Sequence, residues 1–63
     1  MTKKDYVAIA ARIKDVREAY RVKNDGRALA GAAEVAISLS TIFAEDNPRF
    51  DRSRFLGACG VVE

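Results

Sequence analysis

Apolar residues are concentrated in the stretch from Ala28 to Ala44, which carries a single charge at Glu34. Read with a helical period, this stretch has apolar positions around most of its circumference. A helix of this kind is either packed on more than one side or lies in a membrane. We predict a buried helix, because the run is shorter than the roughly 20 apolar residues needed to span a bilayer and is followed at once by Glu45 and Asp46.

The first third of the chain has the pattern of an amphipathic helix. Thr2 and Asp5 have the spacing of a capping box, which starts the helix at about residue 3. We predict that its apolar seam packs on the central helix; the alternative is a homodimer between two copies of the first helix. The seam recurs at intervals of three and four residues and consists of Tyr6, Ile9, Ile13, Val16 and Tyr20.

Turn-forming residues divide the chain into three helical segments. Asn24, Asp25 and Gly26 interrupt the first pattern, and a link this short makes the two long helices antiparallel neighbours. Asn47 and Pro48 end the central helix. The sequence therefore predicts an all-α fold, a long antiparallel helical hairpin closed by a short third C-terminal helix. The predicted helices cover about residues 3–23, 26–46 and 52–59 of a single domain, residues 1–63.

The short third helix has its own start and stop signals. Asp51 suits the N-cap position, Phe50 and Phe55 occupy the two positions of a hydrophobic staple, and Gly60 is a natural C-terminal stop. We expect this helix to fold back on the open end of the hairpin. The last three residues, 61–63, are expected to be a frayed tail.

Size and composition narrow the function classes. The chain has 63 residues, a net charge of +2, one cysteine and no histidine, which excludes an intrachain disulfide and any usual zinc site. So small a domain buries a modest fraction of its surface, so we expect binding or self-association to add stability. The N-terminal segment lacks the apolar run of a signal peptide, and we expect a cytoplasmic location in a bacterial host cell.

Catalytic chemistry is not indicated. Cys59 has no histidine to activate it and lies on an apolar helix face, so we expect it to be a small core residue. The carboxylates show no spacing typical of a shared proton, and no glycine-rich phosphate loop is present. We therefore predict that the protein is not an enzyme and needs no cofactor or metal.

The arginines of the C-terminal third are the most suggestive charges. Three guanidinium groups within six residues can make bidentate contacts to carboxylate or phosphate groups. The local explanation is that they neutralise the carboxylates of residues 45–51, and the functional one is recognition of a partner. The candidate partner-binding residues are Arg49, Arg52, Arg54, Arg12 and Arg17.

Two stretches at the ends of the chain carry a family resemblance. The opening Met1-Thr2-Lys3-Lys4-Asp5-Tyr6 and the segment Asp46-Asn47-Pro48-Arg49-Phe50-Asp51-Arg52, followed by Phe55-Leu56 and Ala58-Cys59-Gly60, resemble small open reading frames recurrent in bacteriophages, prophages and plasmids. No activity is established for that group as a whole. The resemblance implies a mobile-element origin rather than a mechanism.

Origin and size together suggest how such a protein works. A phage protein of this size without catalytic groups typically occupies a surface on a host protein, and anti-CRISPR inhibitors of host defence are one such class. We therefore expect a non-catalytic protein-binding module whose partner is a host protein or complex, with no role for a membrane. The alternative is a small dimeric DNA-binding transcriptional regulator, in which the arginines contact nucleic acid. A third possibility is a subunit of a larger assembly.

Overall fold

The computed structural model describes residues 1–61, which form three helices: α1 (Lys3–Val22), α2 (Gly26–Asp46) and α3 (Arg52–Ala58). The two long helices form a hairpin, and α3 packs against both of them. The predicted all-α hairpin with a short third helix is thus confirmed. Two helices end one residue earlier than the sequence predicts, because Lys23 and Cys59 serve as C-caps.

Acidic side chains mark the starts of the two long helices. The Asp5 carboxylate accepts a hydrogen bond from the Thr2 backbone N–H at 2.9 Å. The Asp25 carboxylate accepts one from the backbone N–H of Ala28 at 3.1 Å. Both contacts satisfy amide groups that have no partner within a helix, and both place negative charge at the positive helix end.

The reversal between α1 and α2 is made by Asn24. This residue has a φ of +58°, a left-handed conformation that asparagine tolerates better than most residues. Its N–H donates to the Arg21 carbonyl at 3.0 Å, and the Asp25 N–H donates to the Tyr20 carbonyl at 2.9 Å. These are the two hydrogen bonds of a Schellman motif, so α1 ends where the chain must turn back.

The hydrophobic core lies where the three helices meet. In α1 the innermost residue is Ala10, whereas Val16 is 40% exposed. The predicted seam is therefore wrong at Val16: α1 is rotated so that Ala10 and Arg17 face inward, while Ile9 and Ile13 remain half-buried at the edge of the core. The buried apolar residues are Ala10, Ala36, Phe43, Phe55, Leu56, Cys59 and Val61.

The end of α3 is more ordered than the sequence suggests. Gly60 has a φ of +78°, and the Val61 N–H donates to the Leu56 carbonyl at 2.9 Å. Val61 is buried against the core, so the expectation of a frayed tail is wrong for this residue. The left-handed Gly60 and the hydrogen bond from Val61 to Leu56 turn the chain back at the end of α3. Val61 therefore lies over the apolar side of this helix. Val62 and Glu63, which the same expectation covered, lie outside the described residues.

Helix α2 is less completely covered than the sequence predicts. Ala36, Ser40 and Phe43 are buried, but the bulky side chains of Val35 and Ile42 are exposed. By length and composition alone α2 could cross a membrane, a criterion that the core helix of a soluble protein also meets. The neighbouring helices cover one side of α2, and an apolar side remains in contact with solvent.

Candidate protein-binding groove

An open groove of about 600 Å³ lies between the first half of α1, the link from α2 to α3, and α3 itself. Its floor is apolar, with three aromatic residues among six, and its rim carries three cations. We call it the aromatic groove. Its floor consists of Tyr6, Val7, Ala10, Phe50, Phe55 and Ala58, and its rim of Lys3, Asn47, Arg49, Asp51 and Arg54.

Four aromatic rings form the wall between this groove and the core. Phe43 of α2 is buried at the centre, with ring centroids 5.0 Å from Tyr6 and 5.5 Å from both Phe50 and Phe55. Tyr6 and Phe50 meet edge to face at 4.7 Å. Such pairs add about 0.5–1.5 kcal/mol beyond the burial of their area. Because Tyr6 and Phe50 are only half-buried, part of the cluster faces the groove.

The link between α2 and α3 fixes Arg49 and Phe50 on the groove. The Asn47 carbonyl accepts a hydrogen bond from the Phe50 N–H at 3.0 Å, and the Asn47 side-chain oxygen accepts one from the Arg49 N–H at 3.0 Å. Pro48 occupies the second position of this turn, where its fixed φ is favourable. The turn directs Phe50 into the aromatic cluster and leaves Arg49 on the rim.

The first turn of α3 positions Arg54. The Asp51 carboxylate accepts a hydrogen bond from the Arg54 N–H at 3.0 Å, which confirms Asp51 as the N-cap. Phe50 and Phe55 lie with ring centroids 5.5 Å apart, so the predicted hydrophobic staple is also confirmed. Together these contacts hold the start of α3 against the aromatic cluster with Arg54 exposed at the groove edge.

The rim has an excess of positive charge. Lys3, Arg49 and Arg54 oppose one carboxylate, that of Asp51, among the residues that line the groove. Within residues 1–61 neither Arg49 nor Arg54 forms a side-chain ion pair, so no described carboxylate holds either guanidinium group in place. Their guanidinium groups are therefore available to carboxylates from outside the chain.

The other candidate arginines lie elsewhere. The Arg52 Nε donates to the Ser40 hydroxyl at 3.0 Å, and that hydroxyl donates to the Ile37 carbonyl at 2.6 Å. This contact joins α3 to α2 at a buried serine. Arg12 is exposed on the side of α1 away from the aromatic groove. The structure thus brings Arg49 and Arg54 together and separates Arg52 and Arg12 from them.

Arg17 connects all three parts of the fold. Its Nη1 donates to the Leu29 carbonyl at 2.8 Å, and its Nη2 donates to the Gly60 carbonyl at 3.2 Å. Its Nε is buried without an acceptor among the described residues. One guanidinium group therefore joins α1 to the first turn of α2 and to the end of α3. Arg17 thus holds the three helices together instead of presenting its charge on the surface.

Sequence reasoning missed Lys3 and Tyr6 as residues of the site. Both lie more than 40 positions away from Arg49 along the chain, so only the docking of α1 brings them to it. The one local signal was Phe50: a staple residue next to Arg49 must lie on the same side of the turn as the aromatic cluster.

Residues 1–61 contain no cluster of three cysteine, aspartate or glutamate side chains able to hold a metal ion. Cys59 is fully buried, and this burial raises the pKa of its thiol above the ordinary value of 9.0, against an opposing effect of the Arg17 charge. The thiol is thus held away from solvent in its protonated form.

We predict that a thiol reagent such as dithionitrobenzoate labels native Cys59 about 100-fold more slowly than it labels a free cysteine, because labelling requires local opening of α3. Urea above the unfolding midpoint should restore the rate for a free thiol. Because the folded-state pKa is raised, the stabilisation from the buried protonated thiol is complete below pH 9.0 and decreases as the pH rises above it. Rapid labelling of the folded protein would contradict this burial.

No family model, curated protein or solved structure matches this chain. The function is therefore inferred from the groove and from the charges around it.

Proposed function

We propose that this protein is a non-catalytic protein-binding module of phage or mobile-element origin that uses the aromatic groove to hold an acidic, partly apolar segment of a partner protein. The observation that carries the proposal is the combination of an aromatic floor with Lys3, Arg49 and Arg54 on the rim. Aromatic and arginine side chains are the residues that most often dominate the energy of protein interfaces.

The chemistry of the groove favours a carboxylate-bearing partner. Arg49 and Arg54 can each form two parallel hydrogen bonds to a carboxylate, and such charge-assisted pairs are about twice as strong as neutral ones. The floor of Tyr6, Phe50 and Phe55 offers apolar area next to those charges. A segment with acidic residues beside a leucine or an aromatic residue would use both parts at once.

The specific activity that we propose is inhibition of a host complex by occupation of a protein surface. The resemblance of the chain ends to phage, prophage and plasmid reading frames supports a bacterial host target, and defence complexes are the targets of anti-CRISPR proteins. Direct mimicry of DNA is disfavoured, because the net charge is +2 and a DNA mimic needs a dense array of carboxylates.

A role as a DNA-binding regulator is less well supported. Helix α3 has seven residues, and its Phe55 and Leu56 are buried in the core. Arg52 is already bonded to Ser40. An α3 inserted in the major groove would therefore have few side chains left to contact bases.

The proposal can be tested by affinity capture from bacterial lysate with the wild-type chain and two matched double variants. Arg49→Ala with Arg54→Ala should reduce capture of the partner by about 100-fold or more, since each of the two lost pairs costs on the order of 1.5–3 kcal/mol. Arg21→Ala with Arg27→Ala removes the same charge from exposed positions outside the groove and should leave capture unchanged. Equal losses in both variants, or recovery of nucleic acid alone, would refute the proposal.

A further inference from the structure

The hairpin has an uncovered apolar surface on a side that α3 does not line. A shallow groove of about 490 Å³ runs between α1 and α2 there, and no residue of α3 lines it. We call this surface the hairpin face. It includes Val16 and Tyr20 of α1 and Ala28, Gly31, Val35 and Ile42 of α2.

The exposure of this surface is high for so small a domain. Val35 is 56% exposed, Ile42 is 58% exposed and Val16 is 40% exposed. Contiguous apolar patches of this kind on small proteins mark interaction sites. Gly31 leaves the surface open, because a Cβ atom added there would meet no atom within 4 Å. A helix from another molecule could therefore approach α2 closely.

Charges at the two ends of the hairpin face indicate the occupant. Asp5, Arg12, Val16 and Lys23 recur at intervals of seven, four and seven residues, so they share one side of α1. Asp5 and Lys23 are both exposed, and they lie at opposite ends of that side. This side of α1 therefore carries the Asp5 carboxylate at the open end of the hairpin and the Lys23 ammonium group at the link, with the Arg12 guanidinium between them.

We propose that the hairpin face binds a second copy of this chain, with the two hairpins antiparallel in a four-helix bundle. A two-fold axis across the helices places Asp5 of each copy opposite Lys23 of the other. A parallel arrangement, with the two-fold axis along the helices, would instead stack α1 on α2 of the other copy and bring Asp5 close to the exposed carboxylates of Glu45 and Asp46, and like charges in contact are unfavourable. The charge pattern is thus self-complementary in one orientation only.

The size of the hairpin face suits a stable dimer. The Cα atoms extend over 36 × 18 × 14 Å. This extent of the whole molecule limits the projected area of the hairpin face to at most roughly 650 Å², the same order as the ~800 Å² that each partner buries in a standard interface. Two antiparallel hairpins stacked on such faces give the architecture of a four-helix bundle, a common arrangement for paired helices.

Sedimentation equilibrium provides the test. We expect the wild-type chain to sediment at twice its 6.9 kDa mass. Val35→Glu, at the centre of the face, should weaken the dimer by at least about 100-fold, because two buried carboxylates enter the interface. Val22→Glu is the matched control: Val22 is 79% exposed, lies off the hairpin face and should leave the dimer intact. A wild-type monomer at about 200 µM, well above a micromolar dissociation constant, would overturn the proposal.

A second variant guards against a folding artefact. Gly31→Leu improves helix propensity and places bulk in the groove between α1 and α2. A folded monomer, verified by circular dichroism, is the expected result. A folded Gly31→Leu dimer of wild-type affinity would place the interface elsewhere and overturn the proposal.

The antiparallel orientation has its own test. Lys23→Glu should weaken the dimer by about fivefold, because each Asp5 then faces a glutamate of the other copy while its capping contact with Thr2 is kept. An unchanged dimer affinity would rule out the antiparallel arrangement. Sedimentation with vesicles of phosphatidylcholine and phosphatidylglycerol tests a lipid bilayer as the other possible occupant of the hairpin face. A monomer that binds these vesicles through Val35 would refute the dimer.

Discussion

Replacing Phe43 with alanine is expected to lower the free energy of unfolding by about 3–5 kcal/mol. Phe43 is buried and its ring contacts those of Tyr6, Phe50 and Phe55, so truncation removes the centre of the cluster that joins α1, α2 and the link to α3. A domain of this size has a total stability of roughly 3–9 kcal/mol. The variant should therefore lose at least about a third of the total stability, which urea titration followed by circular dichroism would measure.

Two controls separate this effect from general sensitivity of the fold. Phe43→Leu keeps most of the apolar volume and should lose less than Phe43→Ala. Val22→Ala removes two methyl groups from a side chain that is 79% exposed and should change stability by less than about 0.5 kcal/mol. A loss below about 1 kcal/mol for Phe43→Ala would mean that the aromatic cluster is not the centre of the core.

The helix boundaries were predictable because local chemistry determines them. Asp5, Asp25 and Asp51 each accept a hydrogen bond from a free amide at a helix start. Gly60 adopts the left-handed conformation that ends α3. These contacts join residues three to five positions apart, so they are visible in the sequence without knowledge of the tertiary fold.

The rotation of α1 was not predictable from its apolar pattern. The alternation of large apolar residues favours Val16 as a core position, yet Arg17 takes the inward place. Burying a guanidinium is unfavourable unless acceptors are present. Its acceptors are the carbonyls of Leu29 and Gly60, which are 12 and 43 residues away in sequence. The sequence near Arg17 therefore gives no indication of these acceptors.

The candidate site was predictable only in part for a related reason. Arg49 and Arg54 lie on one short turn and helix start, and their proximity follows from sequence spacing. Lys3 and Tyr6 join them because α1 docks along the same end of the hairpin. Long-range packing thus supplies the α1 part of the floor and the third cation, and it also separates Arg52, which bonds to Ser40.

The two proposed surfaces lie on different sides of the hairpin, so both can be occupied at once. The aromatic groove is formed with α3, and the hairpin face has no α3 residue along it. An antiparallel dimer would therefore present two aromatic grooves. A partner with two acidic segments would then bind with an avidity far above that of one groove. Val35→Glu should remove this gain while leaving the affinity of a single groove unchanged.

Replacing Arg17 with alanine is expected to lower the free energy of unfolding by about 2–4 kcal/mol. The change removes two charge-assisted hydrogen bonds, from Nη1 to the Leu29 carbonyl and from Nη2 to the Gly60 carbonyl. Arg17→Lys should lose most of the same amount, because one ammonium group cannot reach two carbonyls held by the planar guanidinium fork. Urea titration of both variants would measure these losses.

Hydrogen exchange locates the expected damage. The Val61 amide, which donates to the Leu56 carbonyl, should lose protection in Arg17→Ala more than the amides in the middle of α2, since the Gly60 contact holds that end of the chain. Arg21→Ala is the control: Arg21 forms an exposed ion pair with Glu18 at 3.3 Å, worth less than about 1 kcal/mol. Equal stability of Arg17→Ala and Arg21→Ala would show that Arg17 contributes as an ordinary surface charge and would contradict its assignment as the link between the three helices.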